Sequence, residues 1–239
     1  PNERIFMYCE DALAAVLFAR SASHSRRSDV RNSAVGHVVI GAAAAIADYN
    51  GVEKASHIRD KLVEMTHLNE TIYSTGIAAS YQSERMPSGV WQCDDLIANV
   101  CKHHVTKMPY ELARLAQDLA GGLVVTLPSQ QDLDHDELGP LLEKYLQGRA
   151  GVSTEARVRI LRLIENMTLG RNAVGYLTES MHGAGSPQAQ RIQIARSMEI
   201  ELKKELAKTL AGIDSTSREE IVDDLSSYMA RVFAPVRGQ

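Results

Sequence analysis

Residues 153–170 read STEARVRILRLIENMTLG. Ile160, Leu161, Ile164, Met167 and Thr168 recur at the three-and-four spacing of one helix face, Glu155, Arg159 and Arg162 fall off it, and Ser153 or Thr154 can cap its start. The spacing predicts an amphipathic helix, and the same period runs through nearly every long segment. Beyond Pro187, well placed for a first turn, Ala195, Met198, Leu202, Leu206 and Leu210 repeat every three or four residues until Gly212. This predicts a single helix, with Glu199 and Lys203 as an i,i+4 pair. Further helices are expected over residues 8–24, 33–49, 52–82, 91–104, 109–120, 136–147 and 217–233, each bounded by Gly, Pro, Asn or Ser. The small residues of Gly41-Ala-Ala-Ala-Ala let helix backbones approach closely, so 33–49 is expected at the centre. Leu123–Leu127 is the one strand-like run, and without a partner strand it reads as an apolar connector. The expected fold is all-α, a helical bundle with peripheral helices, forming one domain over 1–239.

Composition narrows the function. The 239 residues carry 26 Lys and Arg against 30 Asp and Glu, a net charge of −4, with 5% aromatics and Trp91 as the only tryptophan. Such a chain lacks both the charge to hold a nucleic-acid backbone and the rings to stack bases, so no nucleic-acid partner is expected. Cys9, Cys93 and Cys101 form no Cys-x-x-Cys pair, which fits a reducing cytoplasm. No apolar stretch approaches the roughly 20 residues of a membrane span, and the opening PNERIFMYCEDALAAV has no secretory pattern. Without Met at position 1, the chain reads as a fragment, a processed product or a trimmed piece.

Three features could carry chemistry. Glu64-Met-Thr-His67 and Glu179-Ser-Met-His182 share the Glu-x-x-His spacing that, on two helices of a bundle, helps build a di-iron site. The second runs into Gly183 and so ends a helix. His103 and His104, adjacent in sequence, point in different directions on a helix and read as surface residues rather than paired ligands. The stretch Thr178-Glu-Ser-Met-His-Gly-Ala-Gly-Ser-Pro-Gln188 combines a tight turn with the start of the next helix, either a phosphate-binding turn or a hinge. If Glu179 is buried there, its pKa rises and it can act as general acid or base; a capping carboxylate is the alternative.

The runs VVIGAAAAIADYNGVEKASHIRDKLVEMTHLNETIY, DLIANVCKHHVTKMPYELARLAQDLAGGLVVTLPS and VGYLTESMHGAGSPQAQRIQIAR resemble the 4-hydroxyphenylacetate 3-hydroxylase family of flavoproteins. Within it, they resemble the C-terminal part of the 4-hydroxybutyryl-CoA dehydratase/vinylacetyl-CoA Δ-isomerase branch. The resemblance implies an acyl-CoA-dehydrogenase-like C-terminal helical domain, the family's N-terminal helical and middle β-domains being absent. It also implies FAD, an acyl-CoA substrate, and assembly as a homo-oligomer or with a companion N-terminal subunit. Glu179 matches the family's catalytic glutamate, and Gly183, Gly185, Ser186 and Gln188 match the loop that approaches cofactor or substrate. In that branch three cysteines and a histidine hold a four-iron four-sulfur cluster close to the flavin, and the resemblance places two of those cysteines before the start of this chain. His24, in LFARSASHSRRSDVRNSAVGHVVIG, falls at the metal-ligand and catalytic histidine, but Arg31 replaces the cysteine seven residues on and Ser28 replaces a tyrosine near the substrate. Arginine offers only donors and cannot ligate iron, so the resemblance sets an iron–sulfur cluster against the residue present. Two other readings stand beside this one. A cluster-free flavin monooxygenase of the hydroxylase branch accommodates Arg31, and a non-catalytic helical subunit would bind a partner supplying the missing half.

Overall fold

The computed structural model describes residues 2–5, 8–24 and 26–213, together with Asp223, Ser226 and Ser227; the side chains of residues 2, 19 and 21–31 lie outside this description. The expected helix 217–233 falls largely outside it too. The helices run α1 (Asp11–His24), α2 (Arg26–Tyr49), α3 (Ser56–Tyr81), α4 (Asp95–Val105), α5 (Met108–Ala120), α6 (Leu123–Thr126), α7 (Gln130–Leu133), α8 (Leu138–Tyr145) and α9 (Thr154–Thr168). After α9 come α10 (Ala173–Tyr176), α11 (Thr178–Ala184), α12 (Pro187–Ser197) and α13 (Ile200–Leu210). Between α3 and α4, β1 (Glu84–Arg85) and β2 (Trp91–Gln92) pair as an antiparallel hairpin. The fold is all-α, as the apolar period requires.

Helices α2, α3, α5 and α9 pack on one another around the main core. Ser153 Oγ accepts the Ala156 N–H at 3.2 Å, starting α9 as its sequence predicts, and Leu161 and Ile164 then enter the core. Helix α2 is central, and Val39, Ala43, Ile46 and Ala47 are its buried stripe. Its close approach to α3 does not use Gly41, which is exposed with open space where a side chain would project. It uses Gly36, where a Cβ would stand 2.0 Å from Asn69 Oδ1. Leu123–Leu127 stays out of any sheet. It forms the single turn of α6, held against α9 by the Arg162 guanidinium, which donates to the carbonyls of Pro128 at 2.6 Å and Leu127 at 3.3 Å.

Downstream of Pro187 the expected single helix is two. Glu199, at φ 46° and ψ 47°, breaks the chain between α12 and α13, and Lys203 Nζ closes the elbow by donating to the Met198 carbonyl at 2.7 Å. A second, smaller apolar cluster, Ile72, Cys101, Val105 and Ala184, joins α3, α4 and α11. It fixes the end of the fold that carries Glu179.

Candidate functional site

Glu179 lies in the first turn of α11, a helix of 7 residues rather than the end of a long one. Its side chain is exposed, not buried, with Oε2 lying 3.8 Å from where a Cβ on Gly175 would be. Ala184 seals the other end of α11 against Cys101 and Val105 with no exposed surface. The chain then turns through Gly185, at φ 90°, a conformation that L side chains rarely adopt. The Gly185 N–H is held by the Met181 and His182 carbonyls, both at 3.1 Å. Ser186 caps α12 by accepting the Ala189 N–H at 3.5 Å, and Pro187 occupies the first helical position.

The turn is thus fixed at its ends and open in its middle. Gly183, Ser186 and Gln188 are exposed, and neither Gly183 nor Gly185 has an atom within 4 Å of where a Cβ would sit. These are places where another molecule can come up against bare backbone. The phosphate reading has less to draw on, because Pro187 has no N–H and those of Gly185, Ala189 and Gln190 are already engaged.

Behind the turn lies a polar bridge that the sequence did not reveal. Gln190 is 3% exposed; its Nε2 donates to the Ala184 carbonyl at 2.8 Å and the Gly185 carbonyl at 3.2 Å, and its Oε1 faces His103 Nδ1 at 3.3 Å. His103 is therefore a half-buried member of the interface between α4 and α12, and His104 beside it is half-buried too, rather than either being a surface residue. Burial pushes both imidazoles below the ordinary histidine range; Lys107 and Arg191 add to this at His103 against the opposing hydrogen bond that His103 donates to Gln190, and His103 and Lys107 add to it at His104. Nothing in a single sequence marks this bridge, since its two ends lie 87 residues apart.

Of the residues singled out from sequence, Glu179, Gly183, Gly185, Ser186 and Gln188 come together on this one element. His24 is the last residue of α1, and its side chain, like those of Ser28 and Arg31, lies outside the described residues. Glu64 and His67 sit on the exposed side of α3. Among the described residues no three His, Cys, Asp or Glu side chains gather as a metal site, so the two Glu-x-x-His motifs do not build a di-iron centre. Cys93 and Cys101 are buried on or beside α4 and Cys9 is exposed near the start of the chain. Among the described residues no helix is long and apolar enough to cross a membrane.

An all-α bundle that presents a glutamate beside an open, glycine-bearing turn defines a class of site, and comparison with known proteins gives its family. Residues 14–212 match the family described as 4-hydroxyphenylacetate 3-hydroxylase C terminal, and the chain belongs to it. It is 52% identical over 222 residues to the 4-hydroxybutyryl-CoA dehydratase/vinylacetyl-CoA Δ-isomerase of Clostridium aminobutyricum, a match covering 89% of this chain and 45% of that protein. The structure of an oxygen-tolerant archaeal 4-hydroxybutyryl-CoA dehydratase from N. maritimus superposes with a TM-score of 0.83 at 60% identity, over 98% of this chain and 46% of that one. The oxygenase component of 4-hydroxyphenylacetate 3-monooxygenase from Thermus thermophilus is 25% identical over 71% of this chain and 35% of its own length. The chain thus spans about half the length of the dehydratases it matches.

Proposed function

We propose that this chain supplies the helical C-terminal half of a flavin-dependent acyl-CoA enzyme of the 4-hydroxybutyryl-CoA dehydratase/vinylacetyl-CoA Δ-isomerase type. The observation that carries the proposal is a contrast in identity: 52% and 60% to two dehydratases against 25% to a hydroxylase component. Glu179 is the acid–base residue. Its carboxylate accepts a proton from C2 of a vinylacetyl thioester, and return of a proton at C4 moves the double bond into conjugation with the carbonyl. The exposure of Glu179 and the open backbone of Gly183 and Gly185 fit a flat ligand covering this element. When bound there, FAD supplies the electron-accepting chemistry. Ser186 and Gln188 line the approach.

An iron–sulfur cluster does not fit the residues present. Arg31 stands at one ligand position, and a guanidinium offers only donors. The reaction is therefore double-bond isomerisation, which moves a proton and expels no hydroxyl. The surface of α1 supports assembly with a companion N-terminal subunit or further copies of the chain: Leu13, Val16, Leu17 and Phe18 are 48%, 44%, 45% and 50% exposed, a density of bare apolar side chains that a free surface rarely keeps.

The test uses protein purified from its own source with whatever it carries. A flavin band near about 450 nm is expected, with exchange of solvent deuterium into vinylacetyl-CoA. Glu179→Gln is expected to slow that exchange by about a hundredfold or more while changing stability by no more than about 0.5 kcal/mol. Arg31 favours one rival, a cluster-free flavin monooxygenase. Hydroxylation of a phenol by the flavin-loaded protein, with no proton exchange on the thioester, would establish that rival instead.

A further inference from the structure

The chemistry proposed above needs Glu179 and the Gly183–Gln188 turn held in one place, yet the turn itself is open on its outer side. We infer that Gln190 is the positioning residue of this turn and that His103 acts through it, so that α4 sets where the turn presents its backbone. This inference rests on the functional reading for its catalytic consequence, but its geometry stands by itself.

Gln190 sits on α12, one helical turn after the Ser186 cap, and its own N–H donates to the Ser186 carbonyl at 3.1 Å. Its amide points back across the turn, where Nε2 spends both hydrogens on the carbonyls of Ala184 and Gly185. Those are the carbonyls that the end of α11 leaves without a helical partner. With Nε2 so committed, the oxygen of the amide must face His103, and His103 must donate from Nδ1. The two carbonyls thus set the orientation of the amide, and the imidazole completes it by presenting the Nδ1–H tautomer to Oε1. A rotated amide would bring Oε1 against two carbonyl oxygens and Nε2 against an N–H donor, and at 3% exposure no water is at hand to relieve it. The bridge joins residues 103 and 190 beside the apolar contact of Ala184 with Cys101 and Val105. The two contacts clamp both ends of the turn to α4 and leave Gly183 and Ser186 free toward the outside.

Hydrogen exchange, followed by mass spectrometry on the full chain in the assembly it forms, tests the bridge with Gln190→Leu, His103→Phe and His103→Asn. Asn places an amide N–H near the position of Nδ1 and keeps the donor. The amides of residues 183–190 are expected to exchange about tenfold faster in Gln190→Leu and His103→Phe, the factor one ordinary hydrogen bond supplies. Exchange in α2, α5 and α9 should not change, and His103→Asn should restore the native rate. Unchanged exchange at the turn in Gln190→Leu would overturn the inference, as would a His103→Asn variant no better than His103→Phe. Thioester proton exchange by the same variants is expected to lose about tenfold in kcat with KM little altered, and an unchanged kcat in an active enzyme would also overturn it. A wild-type protein with no thioester activity would instead defeat the functional reading, and the exchange rates would still decide the bridge.

Discussion

The α2–α3–α5–α9 core and the α11–α12 turn are built from the same helical material and use glycine in opposite ways. In the core, Gly36 is required because a neighbour occupies the space a side chain would need, Asn69 Oδ1 lying 2.0 Å from the would-be Cβ. At the turn, Gly185 is required by its backbone, at φ 90°, and the space where a side chain would project is empty. One region has spent its room on packing, with Ala43, Ile46, Met65, Leu112 and Ala116 fully buried. In the other, the would-be side-chain positions of Gly183 and Gly185 are open. The difference separates where the fold gets its stability from where we propose the chemistry: the turn contributes little to the core and borrows its order from two anchors, Ala184 and Gln190.

That separation can be broken by mutation. Leu161 is 1% exposed at the centre of α9, and Leu161→Ala removes buried methyl groups that its neighbours cannot refill. It is expected to cost about 3 kcal/mol in urea unfolding. Local exchange of the turn amides, measured under native conditions, should not change, and a faster turn in Leu161→Ala would mean that the two regions are mechanically one. Gly185→Ala should be milder in stability, about 1–2 kcal/mol of backbone strain with no clash, but its effect should fall on the turn. Flavin retention on gel filtration should drop while the core amides keep their protection. A Gly185→Ala protein of native stability that keeps its flavin would show that the left-handed turn has no functional purpose.

The core was legible in the sequence and the support of the site was not, for a physical reason. The spacing of Leu161, Ile164 and Met167 states which face is buried, because burial acts on every residue of a helix at once and leaves a period. The small residues at 41–45 correctly put α2 at the centre, although the glycine that allows close approach is Gly36, which no run of small residues announces. The break at Glu199 was hidden because the apolar period of Ala195, Met198 and Leu202 passes through it and no glycine marks the left-handed residue. Glu179 and the turn were singled out through the resemblance and the Gly-Ala-Gly-Ser-Pro punctuation. Gln190 and His103 were not, since a bridge between two side chains far apart in sequence leaves no local pattern.

The smallest effect concerns acid, and its location tests the same division. His103 and His104 are pushed below the ordinary histidine pKa of about 6.5 chiefly by burial between α4 and its neighbours. The unfolded chain therefore takes up protons at these positions before the folded chain does. The stability they confer is fully present above pH 6.5, the unfolded value, and is lost as pH falls from there through the depressed folded values. The shifted carboxylates Glu111 and Asp132 act lower, since their pKa values are depressed from 4.5 and 3.8 by hydrogen bonds from Arg114 and Ser129. Between pH 6.5 and about 5 the fall in melting temperature should thus belong to α4. The double variant His103→Asn/His104→Asn is expected to flatten that limb and leave the lower one. Because Nδ1 of His103 remains a donor when protonated, the Gln190 bridge itself should persist through this window, with turn amides as protected at pH 5.5 as at pH 7.5 once intrinsic exchange is corrected. An acid limb that survives the double variant would place the loss elsewhere, and a turn that opens with protonation would make α4 a switch rather than a support.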